Sequence, residues 1–569
     1  MDRQLAFIPG ILPASSLSAA MRPFNLFGDK HEPGSQASDR RAPSADASSR
    51  GKPKVLFVHP KHAPSFSGLE YLAPYAGIRY ANPPLGILTL AGAISGDYDV
   101  EIRDANVRPA AYPTDADIVG ISGTLLHEVH VQRMAELASY FRGQGKLVCI
   151  GGPVANLCPD LCRPLCDVLF EGEGERTWPQ FLRDYENGCW KDHYVEQEKI
   201  ELSNPPLPRI DLINVHDYGS GQVQTSRGCP FTCEFCEIIV LYGRKVRTKP
   251  IDHVIREIEL WANAGQEHVF FSDDNFVGNR PYVKDLLREL VVWNSRRRNP
   301  LYFYTQASID TARDKELLEL LRDANFAGIF IGIESPRKSS LEEMHKIQNV
   351  HTGDLVEAIR TVQSYGLQVS AGMIVGSDHD DLDIFEEQYR FLQETGITYV
   401  QLSVLEATPK TPLWERMKRD GRLVEYDDGF STFIQPMNMT YEQLLDGFTW
   451  LIQKLYSFDA FKERYFTMLH HMRHHDFSMD RPRQTLRNWR AFLKIVSFYA
   501  FHRHPQYRKF FREIIAGTMN INPRALNWAV RYLGYMIHWH KFAYSHVLTV
   551  RKEPAAQSAV ASAEHAKAS

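Results

Sequence analysis

The chain has 569 residues, 44% apolar and 24% charged, with a formal net charge of -4 at neutral pH. That length predicts two to four domains. The composition excludes a collagen-like or wholly disordered chain, and eight cysteines without even spacing exclude a disulfide framework and point to a reducing compartment. No run of about 18 uncharged apolar residues is present, so no membrane span is expected. Two prolines break the short apolar stretch MDRQLAFIPGILPASS, so no signal peptide is expected either.

Residues 1–52 are rich in Ser, Ala, Arg, Pro and Asp without apolar periodicity and are expected to be a disordered tail. From Lys54 short apolar runs alternate with helical stretches. The runs are KVLFVH (54–59), YDVEIRD (98–104), ADIVGIS (116–122), KLVCIGG (146–152) and DVLFEGEGE (167–175), with LGILTLAGAI and VHVQRMAELASYF between them. This alternation predicts a five-stranded parallel sheet over 53–200, helices on both faces and ligands at the strand carboxyl ends. A second series over 215–420 has strands at 222–228, 267–274, 301–308, 328–335, 368–376 and 399–407. Their starts are 27 to 45 residues apart, the length of a βα unit, which predicts a full or partial barrel. Over 425–550 only aromatic, helical-period segments are seen, and 553–569 reads as a second disordered tail. The charge is uneven. Residues 481–552 carry fourteen Lys/Arg and a single acid, Glu513.

The loop after the first strand of the second series reads TSRGCPFTCEFCEII, with Cys229, Cys233 and Cys236 inside eight positions. Structural zinc wants four ligands, and no second cysteine pair lies nearby. A cubane iron–sulfur cluster held by three thiolates, with its fourth iron open to substrate, accounts for the triplet better. Gly228 and Pro230 suit the tight turn it needs.

C-x3-C-x2-C with Phe235 before the last cysteine, at the first strand of a βα series, resembles the signature of radical S-adenosylmethionine (SAM) enzymes. The resemblance implies a [4Fe-4S] cluster whose open iron is chelated by SAM, and reductive cleavage to a 5′-deoxyadenosyl radical. It also implies SAM-facing groups at Asp273, Asp274 and Asn275 in FFSDDNF, at Glu334 in GIES, and at Gly372 and Gly376 in GMIVG. The first domain resembles the cobalamin-binding domain fused to many such enzymes, through NPPLGILTLAGAI, GISGT, IGGP and EGEGE. By that resemblance Ser122, Gly123, Thr124, Gly151, Gly152, Gly172 and Gly174 line the cobalamin site, the glycines admitting a bulky ligand to the backbone.

Other motifs are read as structural. Asp29, His31 and Gly34 match the D-x-H-x-x-G spacing of cobalt-ligating proteins, but they lie in the tail rather than after a strand. His127 and His130, nearer the right loop, read as helix-start residues. Cys158, Cys162 and Cys166 read as packing residues, and the histidines of LHHMRHHD as a solvated face.

The expected fold class is thus α/β: a Rossmann-like cobalamin-binding domain, a βα barrel of the radical SAM type, and a helical C-terminal domain. The order of the three resembles the hopanoid C-2 methylase group. It implies a cobalamin-dependent radical SAM methyltransferase acting on an unactivated carbon of a hopanoid-like lipid. Its cofactors would be a [4Fe-4S] cluster, SAM and cobalamin. The alternatives are radical chemistry without methyl transfer, of the oxidative cyclase type, and a membrane-surface scaffold with a relict cluster. The expected partners are a small-molecule or lipid substrate, an external electron donor and, through the basic end with Trp489, Phe492, Phe498, Phe510, Phe511, Trp528 and Trp539, a peripheral membrane surface. No nucleic acid is expected, and the expected location is the cytoplasm, with peripheral attachment to the membrane.

Overall fold

The computed structural model describes residues 52–94, 96–124, 126–425, 432–477 and 485–545. The two expected tails, apart from Lys52, and the Asp29, His31 and Gly34 spacing lie outside the described residues.

Six parallel strands build the first sheet: β1 (Lys54–His59), β2 (Asp99–Asp104), β3 (Ile118–Ser122), β4 (Leu147–Gly151), β5 (Val168–Glu171) and β6 (His193–Val195). Their order is β2-β1-β3-β4-β5-β6. One more strand is present than expected, because β6 is a three-residue edge strand without an apolar run. The consecutive apolar residues of β1 split between the two faces. Leu56 and Val58 join one core, Val55 and Phe57 the other. The chain leaves β1 for β2 on one side and returns to β3 on the other. The crevice between the carboxyl ends of β1 and β3 is therefore the topological switch point, where such sheets bind ligands.

The second sheet comprises β7 (Gly221–Val223), β10 (His268–Phe271), β11 (Tyr302–Gln306), β12 (Phe326–Glu334), β13 (Gln368–Val375) and β14 (Val400–Val404), all parallel. The order β14-β13-β12-β11-β10-β7 follows the chain, and β14 does not pair with β7. The barrel is partial. The expected strand 222–228 is broken after Val223, because Thr225 and Ser226 are drawn to the Asp273 carboxylate. Beyond the break β8 (Ser226–Arg227) pairs antiparallel with β9 (Arg247–Thr248).

A hairpin, β15 (Leu423–Glu425) with β16 (Thr432–Ile434), stands where only helices were expected. Five helices follow: α1 (Tyr441–Leu455), α2 (Phe458–His471), α3 (Leu486–Ala500), α4 (Pro505–Ile521) and α5 (Leu526–Ser545). A capping box of Thr440 and Gln443 starts α1. These helices share one continuous apolar core with the barrel. They also manage its free edge. The Tyr456 hydroxyl donates to the Val400 carbonyl (2.8 Å) and accepts from the Val400 N–H (2.9 Å), pairing backbone groups of the last strand. Phe66, from the first domain, stacks on Tyr456 at 5.1 Å and packs on Phe542 at 4.4 Å.

The expectation of a membrane-facing aromatic set needs correction. Phe510, Trp528 and Trp539 are 1–2% exposed and belong to the core, whereas Trp489 is 53% exposed. The helical period that makes them look amphipathic places them in the core that the helices share with the barrel. Among the described residues no helix is long and apolar enough to cross a membrane.

Candidate active site between the two sheets

The triplet loop follows β8. Gly228 opens it at φ 96°, and a Cβ there would lie 2.5 Å from the Lys245 carbonyl oxygen, so only glycine fits. The Cys229 N–H bonds to the Gly243 carbonyl (3.2 Å), and a turn from Cys233 to Cys236 closes the far end (3.2 Å). Burial pushes the Cys229 thiol up and the Cys236 thiol up to about 12. Protons therefore stay on these sulfurs until a metal displaces them. Among the described residues no three His, Cys, Asp or Glu side chains are arranged to hold a single metal ion. Structural zinc wants four ligands, one more than the triplet supplies, whereas a cubane asks each thiolate to meet a different corner.

Lys346, which sequence reasoning missed, is buried beside the triplet. Burial would lower its pKa, but Glu334 at 2.7 Å holds its ammonium charged and raises it. Gln348, two residues on, donates to Cys233 Sγ at 3.6 Å. Glu334 ends β12 at φ 66°, an unusual left-handed conformation for a non-glycine residue. A Cβ at Gly332 would collide with the Glu334 carboxylate and come within 2.8 Å of Lys346 Nζ, so glycine leaves room for the pair. Gly372, opposite Gly332 across the β12/β13 ladder, would place a Cβ 3.7 Å from Glu334 Oε2.

The three residues Asp273, Asp274 and Asn275 divide. Asp273 is fully buried and accepts from the Thr225 hydroxyl (2.7 Å) and N–H (3.1 Å) and the Ser226 hydroxyl (2.6 Å). It is enclosed by the chain and taken up by the Thr225–Ser226 turn. Asn275 accepts from the Ser308 N–H (3.2 Å) and positions that loop. Asp274 is the member whose Oδ1 accepts no hydrogen bond from a described residue. Its Oδ2 accepts from the Gly228 N–H at 2.7 Å. Burial first, and Asp273 beside it, push its carboxyl up to about 7 against the Gly228 hydrogen bond. Gly376, at φ 102°, needs glycine for its turn and packs on Leu444 rather than facing Glu334.

In the first domain Gly123, Gly151 and Gly152 meet at the carboxyl ends of β3 and β4. The Gly123 N–H bonds to the Gly151 carbonyl at 2.8 Å, and a Cβ at Gly152 would lie 2.8 Å from the Gly123 oxygen. At Gly172 (φ 89°) a Cβ would collide with the Glu196 carbonyl, and at Gly174 it would sit 3.1 Å from Leu90. Gly152 and Gly172 are thus demanded by the chain's own packing before any ligand is considered. At the switch point His62 joins Tyr80 (Nδ1, 2.8 Å) to Thr124 (Nε2, 3.0 Å), and the Thr124 N–H donates to His130 Nε2 (3.1 Å). Burial first, then neighbouring imidazoles, drives His62 down to about 3 and His130 to about 4, so both are neutral. Among the described residues the buried Nδ1 atoms of His59 and His130 have no hydrogen-bond partner. His127 caps the helix Glu128–Gly143. Cys162 and Cys166 are buried in the core on one face of the sheet.

EGEGE carries a second feature that its glycines concealed. Glu173 is buried and pairs with Arg247 through two 2.8 Å contacts, and Glu175 pairs with Arg227 at 2.5 Å. Arg227 and Arg247 are β8 and β9 residues flanking the triplet loop. The carboxyl edge of the first sheet is thereby locked onto the cysteine site.

Inside the partial barrel lies a cavity of about 670 Å³. Strand residues Phe270, Tyr304, Gln306, Phe330, Ser370 and Gln401 form one side, and Phe66 to Asn82, α3 and α5 close the other. The Phe330 ring lies 3.2 Å from where a Gly372 Cβ would be. The cavity therefore abuts the Glu334 and Lys346 layer.

Residues 223–392 match the radical SAM superfamily and 75–182 the B12-binding domain; 411–551 match a domain of unknown function, DUF4070. An uncharacterised methyltransferase of Synechocystis sp. is 38% identical over 66% of this chain and 70% of its own. The hopanoid C-2 methylase of Rhodopseudomonas palustris is 33% identical over 72% of this chain and 78% of its own. Among solved structures, a cobalamin-dependent SAM radical enzyme with aqua-cobalamin bound superposes with a TM-score of 0.56 at 16% identity, over 88% of this chain and 80% of that one. A radical SAM methyltransferase from Kitasatospora setae with cobalamin and a [4Fe-4S] cluster gives 0.52 at 16%, over 65% and 78%.

Proposed function

The chain belongs to the cobalamin-binding radical SAM family and is a methyltransferase of it, and from that premise we propose that it methylates an unactivated carbon of a hopanoid-like lipid. The observation that carries the substrate class is the 670 Å³ cavity against the Glu334 layer, walled by Phe66, Phe330, Tyr399 and Trp539. Its size and aromatic walls suit a largely apolar ligand.

The cofactors are a [4Fe-4S] cluster, SAM and cobalamin. When bound, the cluster and SAM supply a hydrogen-abstracting adenosyl radical and cobalamin supplies the methyl group. In this reading Cys229, Cys233 and Cys236 hold the cluster, and Lys346 offsets its negative charge. Asp274 and Glu334 would hold the SAM ammonium, and Gly372 would give the adenosyl group access to the backbone. Asp273 and Asn275 position the loops around them. Ser122, Gly123, Thr124 and Gly151 line the cobalamin edge, with the neutral histidines of the switch point.

Anaerobic incubation with reductant, hopanoid-rich lipid extract and methyl-labelled SAM tests this reading. The expected products are S-adenosylhomocysteine and 5′-deoxyadenosine in equal amounts, with label in a lipid. Deoxyadenosine without homocysteine product or labelled lipid would instead establish radical chemistry without methyl transfer.

We further propose that the protein meets its substrate at an anionic membrane surface through the outer face of α3. Leu486, Trp489 and Leu493, with Phe501 just beyond, are 53–84% exposed, and Arg490 and Lys494 accompany them. Each cation near such a surface is worth about 1 kcal/mol, which salt screens. Flotation with anionic vesicles should show binding that weakens with salt. Equal flotation with neutral vesicles, or none with either, would remove this surface from the model of substrate delivery.

A further inference from the structure

Three charged side chains of α3, α5 and the barrel line the far wall of the cavity, and two of them are engaged. Glu267 accepts from Asn488 Nδ2 at 3.0 and 3.2 Å, and Arg531 donates to the Tyr304 hydroxyl at 2.9 Å. The third, Arg487, makes no hydrogen bond or ion pair with a described residue. It is half-buried, its stem packed 3.8 Å from where a Gly77 Cβ would lie. Burial lowers its pKa, with Glu267 and Asp217 opposing, but an arginine remains charged. A guanidinium that faces a cavity and makes no hydrogen bond to a described residue is complementary to an anionic oxygen group, although Glu267 shares the wall.

We propose that Arg487 is the specificity-determining anchor of the substrate, gripping a carboxylate or phosphate at the end remote from the reacting carbon. This rests on the reading that the cavity holds the substrate. The apolar skeleton then runs from Arg487 along Phe66, Tyr399 and Trp539 to Phe330, beneath the Glu334 layer. The C-terminal helices thereby choose the substrate, while the two sheets hold the cofactors. An apolar wall alone discriminates weakly among skeletons of similar size, whereas a polar anchor rejects an analogue that lacks its partner group more strongly.

The test is calorimetric titration of the cluster-loaded enzyme with two tetracyclic probes below their micellar range, deoxycholate and its neutral methyl ester. Wild-type protein should bind one equivalent of the anionic probe about tenfold more tightly than the ester. Arg487→Gln should lower anion affinity to that of the ester and leave the ester unchanged; Arg487→Glu should reverse the preference. Retained ester binding in both variants shows that the cavity is intact. The proposal is overturned if no probe binds, if anion and ester bind alike to wild type, or if Arg487→Gln keeps the preference. Equal loss of all probes in the variants would also overturn it, since Arg487 would then support the wall rather than the ligand. Because no turnover is read, failure here leaves the product assay for methyl transfer independent.

Discussion

Replacing Cys233 with alanine is expected to abolish cluster binding and SAM cleavage while leaving the fold in place. Cys233 is buried in the triplet loop with Gln348 donating to its sulfur, and it supplies one of only three protein bonds to the cluster. Outer partners of a metal ligand are commonly worth 10–100-fold in affinity or activity, so loss of a ligand should cost on the order of 100-fold or more. The fold should tolerate the change, because Gly228 and the Cys229 and Glu234 backbone bonds shape the loop without this side chain. The paired control is Cys162→Ala, in the other cysteine cluster. Cys162 is buried in the first domain's core, so this variant should lower melting temperature but keep its iron. Iron and sulfide content after anaerobic reconstitution, with deoxyadenosine formation, checks both. Full SAM cleavage by Cys233→Ala would end the assignment of the triplet.

Glu173→Gln is expected to destabilise the junction of the two sheets by about 3–5 kcal/mol, the usual cost of stranding one partner of a buried ion pair. Arg247 and Glu173 are 2% and 4% exposed at the side chain. The Glu173 carboxylate also accepts from the Ile200 N–H (2.7 Å), and Arg247 donates onward to the Ile200 and Tyr242 carbonyls. Thermal melting and limited proteolysis should show a loosened first domain, followed by lost cobalamin retention. The pH dependence has a fixed sign. Burial would raise the Glu173 pKa, but Arg247 and Arg227 hold it lowered. Its contribution is therefore full above the ordinary carboxylate pKa of about 4.3 and fades as pH falls through the lowered folded value. Wild type should lose more stability than Glu173→Gln on acidification. Identical acid profiles would show that the pair adds no stability of its own. Replacing Glu173 and Arg247 together by apolar residues should recover much of the loss, since no charge is then stranded.

The amino-acid sequence by itself determined the two parallel sheets, the cysteine triplet at the end of a barrel strand and the cofactors that go with it. Parallel strands buried on both faces announce themselves as apolar runs such as KVLFVH and GIFIGIE, and three cysteines in eight positions stand out in a cysteine-poor chain. It also carried Gly228 and Glu334, because both belong to short local motifs. Tertiary structure alone decided that Asp273 turns inward while Asp274 stays open, since neighbouring carboxylates at a strand end are indistinguishable until Thr225 and Ser226 claim one of them. It decided that Lys346 lies among the thiols and that Glu173 grips Arg247, partners 74 positions apart. Ion pairs at such separations leave no periodicity to read. It decided, finally, that the aromatic helices close the barrel. A helical apolar stripe states only that one face is covered; whether lipid or protein covers it depends on the free edge of β14, which Tyr456 and its neighbours seal and which exists only once the sheet has formed.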